Sequence, residues 1–303
     1  MSVSVMVTGA GGYLGSRVTA RLSDAGYRVL GVTRKPFAFP GGAVKNVAVD
    51  LNDSPALEKV MADFRPDAIA HCAAYIPRRG DEDPDARSER DNADATRSLL
   101  RAASSAGVKR IAFASSISVY SGDGPASEAG FSEDDVPQPQ GAYGLHKLVG
   151  EEACRDWAER TGGAAVSLRL AGLHGGGRRS GVVYNFIRSA LDGAALQVDS
   201  PESIVQPLWV EDAARAMILA CEPAEASRSA VANIAGAEQI SLLDLAGQVI
   251  AMCGSDSSPA VGAKTGRSMT MSIDRAQREL GFKPTPLMDW VQAEIETVRA
   301  SRV

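Results

Sequence analysis

Thr8-Gly9-Ala10-Gly11-Gly12-Tyr13-Leu14-Gly15 is the stretch that decides how the rest of this chain is read. The apolar run Val3 to Val7 before it reads as a buried strand. The residues from about Gly12 to Ala25 after it read as a helix that ends near Gly26. Gly9, Gly12 and Gly15 therefore sit where a strand turns into a helix. Glycine permits a tight turn and close backbone approach, and the helix N-terminus adds free N–H groups and a partial positive charge. A dinucleotide pyrophosphate needs these features. The three-and-three glycine spacing differs from the commoner G-x-G-x-x-G. A purely structural turn is the competing reading, and the alternation of strands and helices that follows weighs against it.

Working outward, Arg28 to Thr33, Val44 to Val49, Ala68 to Cys72, Lys109 to Ser115 and Ala165 to Leu170 read as strands. Pro55 to Phe64, Ser88 to Ser105 and Tyr143 to Arg160 read as helices, the last two stopping at Gly107 and Gly162. Strands alternating with helices imply parallel pairing and right-handed crossovers, hence an α/β, doubly wound (Rossmann) sheet. Glu211 to Glu222 and Ala230 to Ile234 read as a helix and a strand that return to this sheet. Residues 1–170 with about 206–236 are expected to form the dinucleotide-binding domain. About 171–205 and 237–303 are expected to form a smaller C-terminal substrate-binding lobe. The Gly-, Pro-, Ser- and acid-rich connection 121–141 is long enough to suggest a functional loop.

Composition excludes some classes. A net charge of −5 gives no sign of nucleic-acid binding. No apolar run approaches the ~20 residues of a membrane span, and the N-terminus enters a strand pattern without a basic region and cleavage site. A cytoplasmic protein without a membrane partner is the expectation. Cys72, Cys154, Cys221 and Cys253 are too widely spaced for a zinc-type pair, and His71, His146 and His174 are scattered, so no metal is expected.

The end of the second strand bears on the cofactor. An acidic residue there would bond the ribose hydroxyls of NAD, but the sequence is Thr33-Arg34-Lys35. Arg34 suits a 2′-phosphate by bidentate, charge-assisted bonds, so NADP is favoured and NAD stays possible. Asp50, with Leu51 beside it, follows the third strand and is expected at the adenine edge.

Tyr143-Gly144-Leu145-His146-Lys147 places Tyr143 and Lys147 four apart, on one helix face. A phenol has a pKa near ~10, and a nearby ammonium would lower it. The pair can then pass a proton to or from a hydroxyl at a reacting carbon, with Lys147 also holding the nicotinamide ribose. Ser116, at the carboxyl end of the fifth strand, is placed to polarise a carbonyl.

With these residues in hand, the chain resembles an extended short-chain dehydrogenase/reductase of the NAD-dependent epimerase/dehydratase family. The resemblance is carried by the glycine turn, His71-Cys72-Ala73-Ala74, Ser115-Ser116-Ile117-Ser118-Val119-Tyr120, Tyr143 to Lys147, Leu168-Arg169, Trp209-Val210-Glu211-Asp212 and Arg278-Glu279-Leu280-Gly281-Phe282. It implies Tyr143 as acid/base, Lys147 as its partner and Ser116 as the carbonyl hydrogen-bonder. It places Gly9, Gly12, Tyr13, Leu14, Ala73, Ala74, Asn92 and the backbone of 170–173 beside the cofactor. It also implies a homodimer through the helices at 88–105 and 143–160.

The chain departs from this pattern in places. The Asp-Glu pair of sugar-nucleotide dehydratases is replaced by Ile117 and Ser118, which argues against elimination of water. The asparagine after the Leu-Arg pair is Gly172, and the Arg-Asp that meets a nucleotide diphosphate is Val205-Gln206. Arg178 and Arg179, or Arg78 and Arg79, are candidate replacements, with solvated loop charge as the alternative. Trp209 is either a stacking face or lobe core. The leading functional reading is an NADP(H)-dependent reductase or dehydrogenase of a sugar-like carbonyl or secondary alcohol, most specifically a keto-sugar (sugar-nucleotide) reductase. The alternative is a sugar or sugar-nucleotide epimerase with tightly bound NAD. A non-catalytic dinucleotide sensor ranks third, because Tyr143 and Lys147 are both retained.

Overall fold

The computed structural model describes residues 3–39, 44–120, 124, 128–222 and 229–302. Its first half runs β1 (Ser4–Thr8), α1 (Tyr13–Asp24), β2 (Arg28–Thr33), β3 (Lys45–Ala48), α2 (Ser54–Phe64) and β4 (Ala68–His71). Next come α3 (Pro84–Ser88), a π-helical turn (Glu89–Asp94), α4 (Ala95–Ala106), β5 (Arg110–Ser116), a 3₁₀ turn (Ile117–Val119), α5 (Ala142–Thr161) and β6 (Ala164–Leu170). The chain continues through β7 (Leu173–His174), α6 (Val182–Leu191), β8 (Leu196–Val198), β9 (Ile204–Val205), β10 (Leu208–Trp209), α7 (Val210–Cys221) and β11 (Ser229–Ile234). It ends with β12 (Ile240–Ser241), α8 (Leu242–Cys253), β13 (Pro259–Val261), α9 (Asp274–Leu280) and α10 (Leu287–Ala300).

Seven parallel strands form the main sheet in the order β11-β6-β5-β4-β1-β2-β3. The chain winds outward from β1 in both directions, so the switch point lies between β1 and β4, and the crevice at their carboxyl ends is where ligands of such sheets bind. All five β1 residues are buried, as a strand covered on both faces requires. Alternate side chains serve opposite layers. Val5 and Val7 join a core with Leu14, Val18 and Met217, while Met6 joins another with Leu57, Leu99 and Trp157. A third core collects Ile187, Val249 and Trp290 from α6, α8 and α10. The short pairs β8–β13 and β9–β12 lie in this later part of the chain.

The single helix expected over 88–105 is instead α3, the π turn and α4. Asp83 starts it by accepting from the Ala86 N–H. The widened turn holds Asn92, whose side-chain oxygen accepts from the Tyr75 N–H at 2.7 Å and whose amide donates to the Tyr75 carbonyl at 2.9 Å. Such one-turn π insertions commonly occur at functional sites. Of the 121–141 connection, 121–123 and 125–127 lie outside the described residues. The remainder is tied to the sheet by Tyr120, whose ring stacks on Phe131 at 4.6 Å, and by Asn233, which donates to the Phe131 carbonyl. No helix of the described residues is long and apolar enough to cross a membrane.

Candidate active site

The glycine turn is fixed by close approach. Gly9 has φ +66°, and a Cβ there would lie 2.7 Å from the backbone of Ala73. A Cβ on Gly15 would run into the Gly9 carbonyl oxygen. The Gly12 N–H closes the turn on that same carbonyl at 2.8 Å. Gly12 is also the extended N-cap of α1, which has neither a side-chain cap nor an acidic residue in its first turn. Its leading N–H groups and dipole are thus left to face an anion.

In front of this turn lies a cavity of about 320 Å³. Gly9, Gly12, Arg34, Asp50, Leu51, Ala73 and Ala74 all line it. Arg34 is half exposed and bonds Asp91 at 2.7 Å, while Arg90 and Arg87 approach the same carboxylate at 2.9 and 3.6 Å. Burial pushes the Asp91 carboxyl up, but bonds from Arg90 and Arg34 outweigh it and hold the group below its ordinary range. Three guanidiniums around one carboxylate leave this rim net positive.

Tyr13, Leu14 and Asn92 do not line the cavity. The Tyr13 hydroxyl donates to the Gly175 carbonyl at 2.5 Å, and Leu14 packs in the core. As the first two residues of α1, they face the crevice with backbone N–H groups, not side chains. The Asn92 amide is used on Tyr75 and on Ser88 Oγ at 3.0 Å. Ser88 Oγ also meets His146 Nδ1 at 3.0 Å, which links α5 to the cofactor-side wall. His71 stiffens that wall from behind. Thr96 Oγ1 donates to the Asn92 carbonyl, so it accepts from His71 Nε2–H, and His71 Nδ1 accepts from Thr8 Oγ1. Burial, aided by the Lys147 charge, lowers His71 to about 3, which keeps the ring neutral.

Ser116, at the carboxyl end of β5, donates to Ser118 Oγ and accepts from the Ser118 N–H, both at 3.1 Å, and its hydroxyl lies beside that of Tyr143. Gly144 makes this approach possible, because a Cβ there would collide with the Ser118 carbonyl oxygen. A glycine inside a helical pattern is the signal that the sequence offers for this contact. Lys147 is buried, donates to the Ala114 carbonyl at 2.6 Å and stands 5.9 Å from the Tyr143 ring centroid. Burial lowers the ammonium to about 8. The expected lowering of Tyr143 by Lys147 is absent. Burial raises the phenol, the nearby Ser116 hydroxyl opposes this only in part, and the ammonium is committed to Ala114.

Arg169, of the Leu-Arg pair, is a buried structural cation. It bonds Glu151 at 2.7 Å and Tyr120 at 2.8 Å, and Ser115 Oγ completes the carboxylate at 2.5 Å.

A second cavity, of about 170 Å³, opens beside Ile117 between the sheet and the later segments. Gly172, His174, Val205, Gln206 and Arg267 are among its lining residues. The Gln206 amide is consumed by the Gly236 carbonyl and the Met271 N–H, both at 2.9 Å. Arg178 bonds the Leu173 carbonyl and Ser180, and neither it nor Arg179, Arg78 or Arg79 lines the cavity. Trp209 packs against both the first and third cores.

The chain as a whole is similar to known proteins. The model of the NAD dependent epimerase/dehydratase family matches residues 5–235. The chain belongs to that family. UDP-glucose 4-epimerase 2 of Oryza sativa subsp. japonica is 34% identical over 166 residues, which is 50% of this chain and 40% of that protein. The chain thus matches less than half the length of this curated relative. dTDP-4-dehydrorhamnose reductase of Mycobacterium tuberculosis (strain CDC 1551 / Oshkosh) is 28% identical over 84% of this chain and 77% of its own length. Among solved structures, MoeE5 in complex with UDP-glucose and NAD is similar over 99% of this chain and all of its own, with a TM-score of 0.84 and 29% identity.

Proposed function

We propose that this family member is an NADP(H)-dependent reductase of a keto-sugar nucleotide. The supporting observation is that the close approach of α5 at Gly144 brings Ser116 beside a Tyr143 phenol that burial keeps protonated. A protonated phenol is the acid that reduction of a carbonyl needs. The nicotinamide, when bound, supplies the hydride to the carbonyl carbon. Ser116 and Tyr143 then hydrogen-bond the carbonyl oxygen, and Tyr143 gives it the proton that completes the alcohol. The Ser116 hydroxyl, which opposes the rise of the phenol, stabilises the phenolate left behind, and Lys147 would hold the nicotinamide ribose. The pyrophosphate would lie on the N–H groups at the start of α1, with Ala73 and Ala74 as the facing wall and Asp50 and Leu51 at the adenine edge. Arg34, supported by Asp91, would take the 2′-phosphate. Residues about 171–205 and 237–303 would supply the substrate-binding lobe, and the dimer would form through α4 and α5.

The second reading is epimerisation with retained NAD, favoured by the identity to UDP-glucose 4-epimerase 2. It begins by taking a proton from a hydroxyl, which a phenol with a raised pKa does less well. Denaturing the purified protein and identifying the released nucleotide separates the two. The reductase reading predicts little retained cofactor, and consumption of added NADPH with dTDP-4-dehydrorhamnose, the substrate in the relative's name. Stoichiometric NAD⁺ in the released fraction, with no NADPH consumption, would decide for epimerisation.

A further inference from the structure

One polar side chain of the second cavity takes no part in hydride or proton transfer. His174 closes β7, and its ring stands between two glycines. A Cβ at Gly172 would lie 3.6 Å from Nε2, and one at Gly181 would lie 3.2 Å from Nδ1. Nδ1 is fully enclosed and has no hydrogen-bond partner. No hydrogen bond of the ring is found among the described residues, and the ring lines the cavity.

The state of the ring follows from what each nitrogen can find. A neutral imidazole has one N–H and one acceptor nitrogen. A buried N–H without a partner is rarer and costlier than an under-used acceptor. The proton therefore belongs on Nε2, and enclosed Nδ1 keeps its lone pair. Burial, with the Arg178 charge behind it, lowers His174 to about 4, so the ring is uncharged at neutral pH. The result is a neutral donor in a cavity whose other walls include Ile117, Val182, Ile204 and Met269, with Arg267, which bonds Gln140 at 3.4 Å, also in the lining. Gln206 cannot compete for a ligand, since both ends of its amide are already bonded. A donor in an apolar wall discriminates strongly, because a ligand lacking the matching oxygen leaves it unpaired. Ile117 lines the same cavity and directly follows Ser116, so this cavity adjoins the Ser116 end of the site.

We propose that His174 is a specificity determinant of the substrate site, donating its Nε2 hydrogen to a hydroxyl or carbonyl oxygen on the sugar part of the substrate. This rests on the sugar-nucleotide reading of the same cleft. The test uses the full chain, imidazole ¹⁵N NMR and calorimetry, with UDP-glucose and free glucose as probes. The Nε2–H tautomer is expected without a probe, and UDP-glucose should shift the Nε2 resonance. His174→Phe should weaken UDP-glucose binding about tenfold, the loss of one good hydrogen bond. His174→Gln should restore most of it through its amide N–H, and NADPH affinity should be unchanged in both variants. An Nδ1–H tautomer, or His174→Phe binding UDP-glucose as the parent does, would overturn the proposal. If glucose shifts Nε2 while UDP-glucose does not bind, the sugar-nucleotide reading fails and the His174 role stands. If neither probe shifts it, the His174 role is refuted.

Discussion

The two ends of the crevice are built by different means. The cofactor end comes from contiguous stretches, 9–12, 32–37, 49–52 and 72–75, and much of it is backbone. Gly9 and Gly15 work by having no side chain, and α1 contributes N–H groups. The substrate end gathers residues 117, 171, 172, 174, 182, 204–207, 267 and 269, with specificity in side chains such as His174. Its shape depends on β7 pairing with β10, β9 with β12, and the third core behind them. A cradle for a common cofactor can be written in local geometry, whereas a pocket for a particular substrate is assembled across the chain.

Substitutions can test that separation. The largest effect is expected from Tyr143→Phe, which should cut NADPH-dependent turnover by about 100-fold or more while NADPH binding, followed by fluorescence, is unchanged. Full turnover would remove Tyr143 from the chemistry. Gly144→Ala should lower kcat roughly tenfold, because the added methyl must push α5 off the Ser118 carbonyl and carry Tyr143 away from Ser116, about the cost of one hydrogen bond to the reacting oxygen. Its NADPH affinity should match the parent's. An unchanged kcat would show that the two residues need not be so close. Arg34→Ala should reduce the preference for NADPH over NADH by about tenfold, the loss of one charge-assisted contact. An intact preference would mean that another residue reads the 2′-phosphate.

The smallest effect concerns His71, behind the cofactor wall. Its folded pKa of about 3 lies below the ordinary 6.5, so its stabilisation is fully present above pH 6.5 and is lost as pH falls through that value towards 3. Denaturant titrations should show a loss of about 1 kcal/mol from this group between roughly pH 7.5 and 5.5. His71→Gln should flatten the profile by that amount, and an equally steep profile in the variant would show that other groups cause it.

Local chemistry was legible in the sequence. Gly9, Gly12 and Gly15 between an apolar run and a helix pattern mark the cradle. A tyrosine and a lysine four residues apart, after a serine at a strand end, mark the proton-transfer group. Side-chain commitments made over long distances were not legible. Asn92 widens its own helix to hold Tyr75, and Tyr13 reaches across to Gly175. Lys147 takes the Ala114 carbonyl, which the helix spacing alone does not reveal. The small strands β8 and β13 pair only because the third core brings them together. Gly144 had a visible signal, but its reason lies in the Ser118 carbonyl that α5 must approach.

Hydride transfer to a keto-sugar nucleotide is tested most directly with NADPH deuterated at the transferred position of its nicotinamide. The protein is incubated with this cofactor and dTDP-4-dehydrorhamnose, and the sugar-nucleotide product is weighed by mass spectrometry. One deuterium is expected in the reduced sugar, with equimolar NADP⁺ formed and both lost in Tyr143→Phe. Unlabelled product, or an epimer formed with no net consumption of the cofactor, would contradict it.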